Sequence, residues 1–373
     1  MEEVFREALN LSKKGESYVI ATVVDTKGST PQKPGAKLLV REDGSGVGTL
    51  GGGCVEGDIW FAAKMLLKEG GDPTITDYLL NEEIAAREGL VCGGTMYFLI
   101  DPVLRPDVAL KPTKEIVDAY DGVSSVGMAS LLADANGKGK VGDKLFIGQD
   151  GSISGSLGDQ ARDLEVIESL KGLVDYGSVK TIITQDGAQV LMEGYTNPAS
   201  VIVAGGGHIG KCLAPLVKMM GMRFYVVDDR PEFANEERFP EADGFVVADY
   251  AEGLGQLDIR PNTAIVIATR GHRQDDFALE AAARSPAGYV GLVGSRRKTI
   301  LIHEELLKNG VPLERLKALH APVGLDIGAK TPEEIALSIV SEIVAFREGR
   351  TGKSMTMEAR YLKRIADKLG VPA

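Results

Sequence analysis

The run Leu50-Gly-Gly-Gly-Cys-Val-Glu-Gly-Asp58 places one of the three cysteines of a 373-residue chain directly after three glycines. Glycine lacks Cβ, so consecutive glycines let the backbone take left-handed dihedrals and let a bulky ligand approach the main chain. The segment that follows, EGDIWFAAKMLLKEG, spaces Ile59, Ala62, Ala63, Leu66 and Leu67 as the apolar stripe of a helix. Cys54 then stands at or just before a helix N-terminus, where the dipole and free N–H groups lower a thiol pKa toward the reactive thiolate. Glu56 opposes that shift by its charge unless it turns to bond backbone N–H groups. The alternative for Cys54 is a small buried residue in a tight strand-to-helix turn.

A second constellation begins near residue 199. Val201 to Ala204 reads as a buried strand, followed by Gly205-x-Gly207-x-x-Gly210, a helix, and a second strand that ends in Asp228, 18 residues past the last glycine. In that context the glycines permit a tight turn and bring a pyrophosphate to the helix N-terminus, while Asp228 or Asp229 bonds a ribose diol. Alternating strands and helices continue to about residue 325, which predicts a doubly wound parallel sheet. Ligands of such sheets lie at the carboxyl ends of the strands. Placed there are His208, Asp228, Asp229, Arg230, Arg270, His272, Asp275, Asp276, Ser295, Arg296 and Arg297. His208 and His272 are either ligand groups or solvent-facing first-turn residues, and Ser295-Arg296-Arg297 is either an anion site or a solvated basic helix end. Cys212 reads as core and His303 as helix surface. The loop Gly324 to Gly328 lies where it could close over the crevice.

The elements that carry the first motif are duplicated. Residues 35–51, GAKLLVREDGSGVGTLG, and 142–158, GDKLFIGQDGSISGSLG, align without a gap at an offset of 107, with nine of 17 positions identical. Each copy holds an Asp-Gly turn of the kind that joins hairpin strands. After the shared Leu-Gly, copy one continues Gly52-Gly53-Cys54-Val55-Glu56 and copy two Asp159-Gln160-Ala161-Arg162-Asp163. Cys92-Gly93-Gly94 has no counterpart in copy two either. A fold that required these residues would have retained them twice, so the asymmetry assigns Cys54, and with it Cys92, to function and copy two to scaffold.

The predicted organisation is therefore an α+β domain over 1–198, with duplicated units about 17–103 and 124–198, a Rossmann-like domain over 199–348, and a C-terminal helix over 349–373. The net charge of −11 argues against a nucleic-acid surface, and no apolar run reaches the ~18 residues of a membrane span. Cysteines at 54, 92 and 212 form neither a zinc spacing nor a disulfide framework, which favours a reducing cytoplasm.

Taken together, GSTPQKPGAKLLV, GTLGGGCVEGD, LVCGG, VIVAGGGHIG, VVDDRPEFANEERFPEAD, YVGLVGSRRK and HAPVGLDIGAKTPEEIALSIVSEI resemble the xanthine dehydrogenase accessory factor family (XdhC/CoxI). The resemblance implies a cytoplasmic maturation factor rather than a turnover enzyme. Such a factor binds the molybdenum cofactor (molybdopterin), helps it gain its terminal sulfido ligand through a cysteine desulfurase, and inserts it into a xanthine dehydrogenase or CO dehydrogenase-type molybdenum hydroxylase. A cofactor nucleotidyltransferase and a homodimer are also implied. The carried-over positions are Gly51, Gly52, Gly53, Cys54, Glu56 and Cys92, with Cys54 as the soft ligand for molybdenum or incoming sulfur. The Rossmann crevice would bind the nucleotide part of the cofactor, NAD(P), or a free nucleotide. The rival readings are an NAD(P)-dependent oxidoreductase centred on Cys54 and His272, and a docking module without a cofactor.

Overall fold

The computed structural model describes residues 1–80 and 94–370. The chain divides into two compact units, Met1–Pro198 and Ala199–Ala373. Among the described residues no helix is long and apolar enough to cross a membrane.

The first unit is one supersecondary pattern used twice. Its first half runs α1 (Glu2–Lys14), β1 (Tyr18–Lys27), β2 (Lys37–Arg41), β3 (Gly46–Gly48), α2 (Gly53–Glu69), β4 (Thr74–Leu79) and β5 (Thr95–Val103). Its second half repeats the order with α3 (Pro106–Tyr120), β6 (Val126–Ala133), β7 (Lys144–Ile147), β8 (Ile153–Gly155), α4 (Gln160–Val174), β9 (Val179–Ile183) and β10 (Gln189–Tyr195). The two antiparallel sheets share one order, β3-β2-β1-β5-β4 and β8-β7-β6-β10-β9. The repeat is thus longer than the expected 17–103 and 124–198, because each half opens with its own helix.

The Asp-Gly turns behave alike in both halves. Asp43 and Asp150 accept the backbone N–H of Ser45 and Ser152, and Gly44 and Gly151 take the positive φ that closes each turn. Along β1, Val19, Ala21 and Val23 pack under Val55, Ile59 and Ala63 of α2. In the second half Val166 and Leu170 of α4 cover Ala129 and Leu131 of β6 in the same way. The opposite sheet faces meet each other, with Val24, Leu99, Leu132 and Leu191 in one cluster. Two ion pairs cross the same interface: Lys37 Nζ lies 2.8 Å from Glu193 Oε1, and Lys144 contacts Asp101. Burial on both faces explains why β1 shows no clean apolar–polar alternation.

The second unit orders six parallel strands as β13-β12-β11-β14-β15-β16. They are β11 (Ser200–Ala204), β12 (Arg223–Asp228), β13 (Gly244–Val247), β14 (Thr263–Ile267), β15 (Tyr289–Leu292) and β16 (Leu319–His320). This is the order of a dinucleotide-binding fold, with its crevice where the order reverses beside β11. One face is covered by α5 (His208–Met219) and α10 (Pro332–Arg347), the latter begun by a capping box at Thr331 and Glu334. The other face is covered by α6 (Tyr250–Gly255), α7 (His272–Arg284), α8 (Arg296–Lys308) and α9 (Leu313–Lys317). Beyond α10, helix resumes only at Ala359, as α11 (Ala359–Leu369). Leu362, Ile365 and Leu369 are exposed along it.

Copy two is locked by a buried cation that copy one lacks. Arg162, equivalent to Val55 at the 107-residue offset, is fully buried, bonds Asp134 and Asp186, and donates to the Leu157 carbonyl at 2.7 Å. Backbone N–H groups of Gly139 and Asn136, then Arg162, hold Asp134 down to about 2, and Arg162 and Thr184 depress Asp186 as well. Carboxyl groups lowered by folding stabilise fully above their unfolded value of ~3.9 and lose that contribution as pH falls through the folded value. Stability should therefore drop between about pH 4 and pH 2. Replacing Arg162 by Leu takes the shared cation from Asp134 and Asp186 and should cost about 3 kcal/mol at neutral pH while making the Arg162-dependent part of that acid limb shallower, the backbone donors of Asp134 being kept. Urea unfolding at several pH values measures both effects, and an unchanged acid limb in the variant would refute the assignment.

Candidate functional site

The two copies allow a direct comparison of the glycine–cysteine loop with a version that has no cysteine. In copy one Gly51, Gly52 and Gly53 all have positive φ, at 114°, 76° and 67°. In copy two only the equivalent of Gly51 does: Gly158 has φ 92°, Asp159 is extended and Gln160 begins α4. The fold thus demands one glycine here, and the other two are particular to copy one. Gly51 is held against Pro31, whereas a Cβ at Gly52 would meet no atom within 4 Å, so among the described residues the loop is open at Gly52.

The helix starts differ in the same sense. Asp159 caps α4 with its own carboxylate, which accepts from the backbone N–H groups of Ala161 and Arg162. At the equivalent point α2 has Gly52, which offers no side chain, and Cys54 is the second residue of the helix. Copy one therefore presents first-turn N–H groups where copy two has already supplied an anion.

Glu56 does not belong to this opening. Its Oε2 accepts from Thr49 Oγ1 at 2.7 Å, Leu50 N at 2.9 Å and Gly52 N at 3.1 Å. Burial raises its pKa, but the Leu50 N–H, the Thr49 hydroxyl and the Gly52 N–H outweigh that and leave it lowered. Asp163 makes the matching bonds to Ser156 Oγ and Leu157 N in copy two. A brace found in both copies serves the loop, so the contacts of Glu56 are those of a positioning residue. Cys92 lies outside the described residues, as do the side chains of Cys54 and His272; the His272 backbone starts α7.

In the second unit the three glycines have separate jobs. Gly205 has φ 120°, and a Cβ there would stand 2.3 Å from the Ala268 carbonyl. Gly210 packs its own bare face onto the Gly205 carbonyl, and Gly207 looks into open space at the uncapped start of α5. Asp228 is fully buried with four donors on its two oxygens: Arg230 N and Nε on Oδ1, Gly206 N and Arg230 Nη2 on Oδ2. A carboxylate has about four acceptor sites, so none is left for a ribose. Asp228 instead ties the glycine loop to Arg230, and the ribose candidate is Asp229, which is partly exposed and held by Arg270 and Gln274.

Other expected site residues are placed at the rim with different duties. His208, Arg296 and Arg297 are exposed in their first helical turns, whereas the Ser295 hydroxyl caps α8 by accepting from Lys298 N. Asp275 is buried against Thr269 Oγ1 and the Lys298 ammonium. Residue order alone does not single out Lys298, whose position one turn into α8 is the available signal, or Tyr250, whose buried hydroxyl has no hydrogen-bond partner among the described residues. Burial, then Asp228 and Asp229, raise the Tyr250 phenol. The loop after His320 is anchored at its start: Gly324 N donates to Glu342, and Ser338 Oγ donates to the Leu325 carbonyl.

These glycine roles separate binding from folding. Gly207→Val should melt like the parent and lose nucleotide affinity at least tenfold, because its side chain enters the open cradle. Gly205→Ala should lose about 1–3 kcal/mol of stability through its left-handed backbone. Calorimetric titration with dinucleotides and thermal melting read the two outcomes, and undiminished binding by Gly207→Val would exclude the cradle.

Comparison with known proteins agrees with both units. The profile described as "XdhC Rossmann domain" matches residues 201–343, and that described as "XdhC and CoxI family" matches residues 11–78. The uncharacterized protein YqeB of Escherichia coli is 28% identical over 94% of this chain, which spans about half of that protein, 48%. A Bacillus subtilis protein named as a probable xanthine dehydrogenase component is 27% identical over 89% of this chain and 94% of its own. The molybdenum cofactor insertion chaperone PaoD of Escherichia coli is 22% identical over 92% of this chain and 88% of its own. A crystal structure described as a xanthine dehydrogenase from Bacillus halodurans superposes with a TM-score of 0.63 and 26% identity over 95% of this chain and 99% of that one. With its duplicated first unit and its Rossmann second unit, the chain belongs to the XdhC and CoxI family.

Proposed function

We propose that this protein is a maturation factor that holds the molybdenum cofactor and delivers it to a molybdenum hydroxylase. Membership of the family and likeness to a relative named as a molybdenum cofactor insertion chaperone support the reading. The observation that carries it is the uncapped start of α2, open where the second copy closes the same helix with Asp159.

The cargo is anionic at its phosphate and oxo groups and has a metal with affinity for soft sulfur. First-turn N–H groups of α2 suit an anionic oxygen, and the Cys54 thiolate suits molybdenum or the sulfur that a cysteine desulfurase supplies. A free thiol of pKa ~8.5 is a few per cent ionised at neutral pH; a helix start lowers it. Glu56 works against this with its charge, yet it is turned back onto Leu50 and Gly52. The Rossmann crevice takes the phosphate of a nucleotide at Gly207 and its ribose at Asp229. Asp228, filled by its own loop, serves the glycine turn.

Cys54→Ser keeps size and polarity but removes the soft ligand. It should fold normally, retain several-fold less molybdenum and pterin after coexpression with a cofactor-producing host, and lower the sulfurated fraction of a coexpressed client hydroxylase. Cys212→Ser should spare all three. Metal analysis and client activity read the result; parental behaviour of Cys54→Ser would sink the thiolate role, and failure of Cys92→Ser in its place would move that role to the second thiol.

A further inference from the structure

The C-terminal helix α11 carries an apolar face that its own chain leaves uncovered. Helical periodicity puts Leu362, Ile365 and Leu369 on one stripe with Tyr361 at its edge, and these four are between 44% and 69% exposed. No residue of the helix is buried. Just ahead of it Met355 and Met357 extend the same surface, lining a hollow with Tyr361 and Ile365. The same periodicity sets Lys363 and Lys368 along the two borders of the stripe. From 350 to 370 six lysines and arginines stand against two acids, Glu358 and Asp367, in a chain whose net charge is −11. A helix of three turns is marginal in water by itself, so α11 gains stability from a surface to pack on.

The Rossmann unit offers a matching surface. Between α5 and α10 runs an apolar groove of about 660 Å³, with Cys212 and Leu216 on the α5 wall and Leu337 on the α10 wall. Leu337 is 50% exposed, and Met219, one turn past Leu216, is 74% exposed. Glu333 and Glu334 lie on the α10 rim, against Lys211 on the α5 rim. An apolar stripe bordered by lysines thus meets an apolar groove with acids on its edge, the pairing of a helix in a groove. Two α11 helices laid against each other would instead bring their lysine borders together, which like charges oppose.

We infer that α11 of one copy docks in the α5–α10 groove of a second copy, and that the second copy returns the contact. Residues 348–358 join α10 to α11, and at up to about 3.3 Å per residue they reach far enough to cross between copies. A helix of this length is about 16 Å long and about 10 Å wide, so one docking covers only a few hundred Å². Reciprocal exchange doubles that contact toward the roughly 1,000 Å² of a specific interface. Exchange of the same two surfaces is the isologous arrangement of a twofold dimer. The pairing does not depend on the cargo that the protein carries.

Sedimentation equilibrium of the full-length chain at micromolar concentrations should show a monomer passing to a dimer. Ile365→Glu puts a carboxylate in the stripe and Leu337→Glu puts one in the groove; both positions are about half exposed, so each variant should melt like the parent and dimerise at least about a hundredfold more weakly. An equal mixture of the two variants restores one intact helix and groove and should form a mixed dimer of intermediate affinity. Cys212 gives a second readout from inside the groove. Leu362→Cys, Ile365→Cys and Leu369→Cys, oxidised one at a time with copper phenanthroline, should yield a disulfide-linked dimer from at least one of them, lost when Cys212→Ser is added. A chain that stays monomeric, Leu337→Glu dimerising like the parent, a mixture without rescue, or a Cys212 cross-link that is missing or closed within one chain overturns the inference.

Discussion

Two reciprocal ammonium–carboxylate pairs hold the halves of the first unit face to face. Lys37 reaches Glu193 and Lys144 reaches Asp101, so each repeat neutralises a charge that the other has buried. Removing one partner of a pair as enclosed as Lys37 and Glu193 leaves an uncompensated charge, at a cost of about 3–5 kcal/mol. That penalty ties four strands, β2, β5, β7 and β10, to one register, because a one-residue slip would turn each charge toward the helix-covered face.

With the facing surfaces so constrained, the helix starts at the strand ends are where the repeats could diverge. Copy two closes its loop from within: Asp159 caps α4, and Arg162 bonds the Leu157 carbonyl from below. Copy one has Gly52 and Val55 at those positions and keeps only the shared brace, Glu56 in place of Asp163. The result is one sealed helix start and one that presents donors. The Rossmann unit varies the same device, with bare glycines at the starts of α5 and α7 and a serine hydroxyl closing α8. In both units the side chain at the N-cap decides whether the helix dipole meets an internal or an external anion.

The duplication, the hairpin turns, the glycine fingerprint and the parallel sheet were all legible from residue order. They rest on local rules: turn chemistry at Asp-Gly, the period of apolar residues, and the backbone freedom of glycine. The divergence at Gly52-Gly53-Cys54 was legible too, because the chain carries its own control sequence. Lys37 and Lys144 stood among the identical positions of the repeat, but identity alone does not name a partner.

What residue order could not decide was which polar groups are already satisfied. Asp228, Asp229 and Glu56 are all carboxylates beside glycine loops, and nothing local separates them. The tertiary structure fills the acceptor sites of Asp228 with Arg230 and Gly206, turns Glu56 onto its own loop, and leaves Asp229 partly exposed. It likewise pairs Lys37 with an acid 156 positions away and leaves the second of two related ion pairs, Lys144 and Asp101, the more exposed. Sequence determined where the backbone can bend and where helices begin, since those depend on neighbours in the chain. Hydrogen-bond saturation and burial depend on atoms brought together from distant segments, so only the folded chain could settle which charges hold the protein and which remain for a ligand.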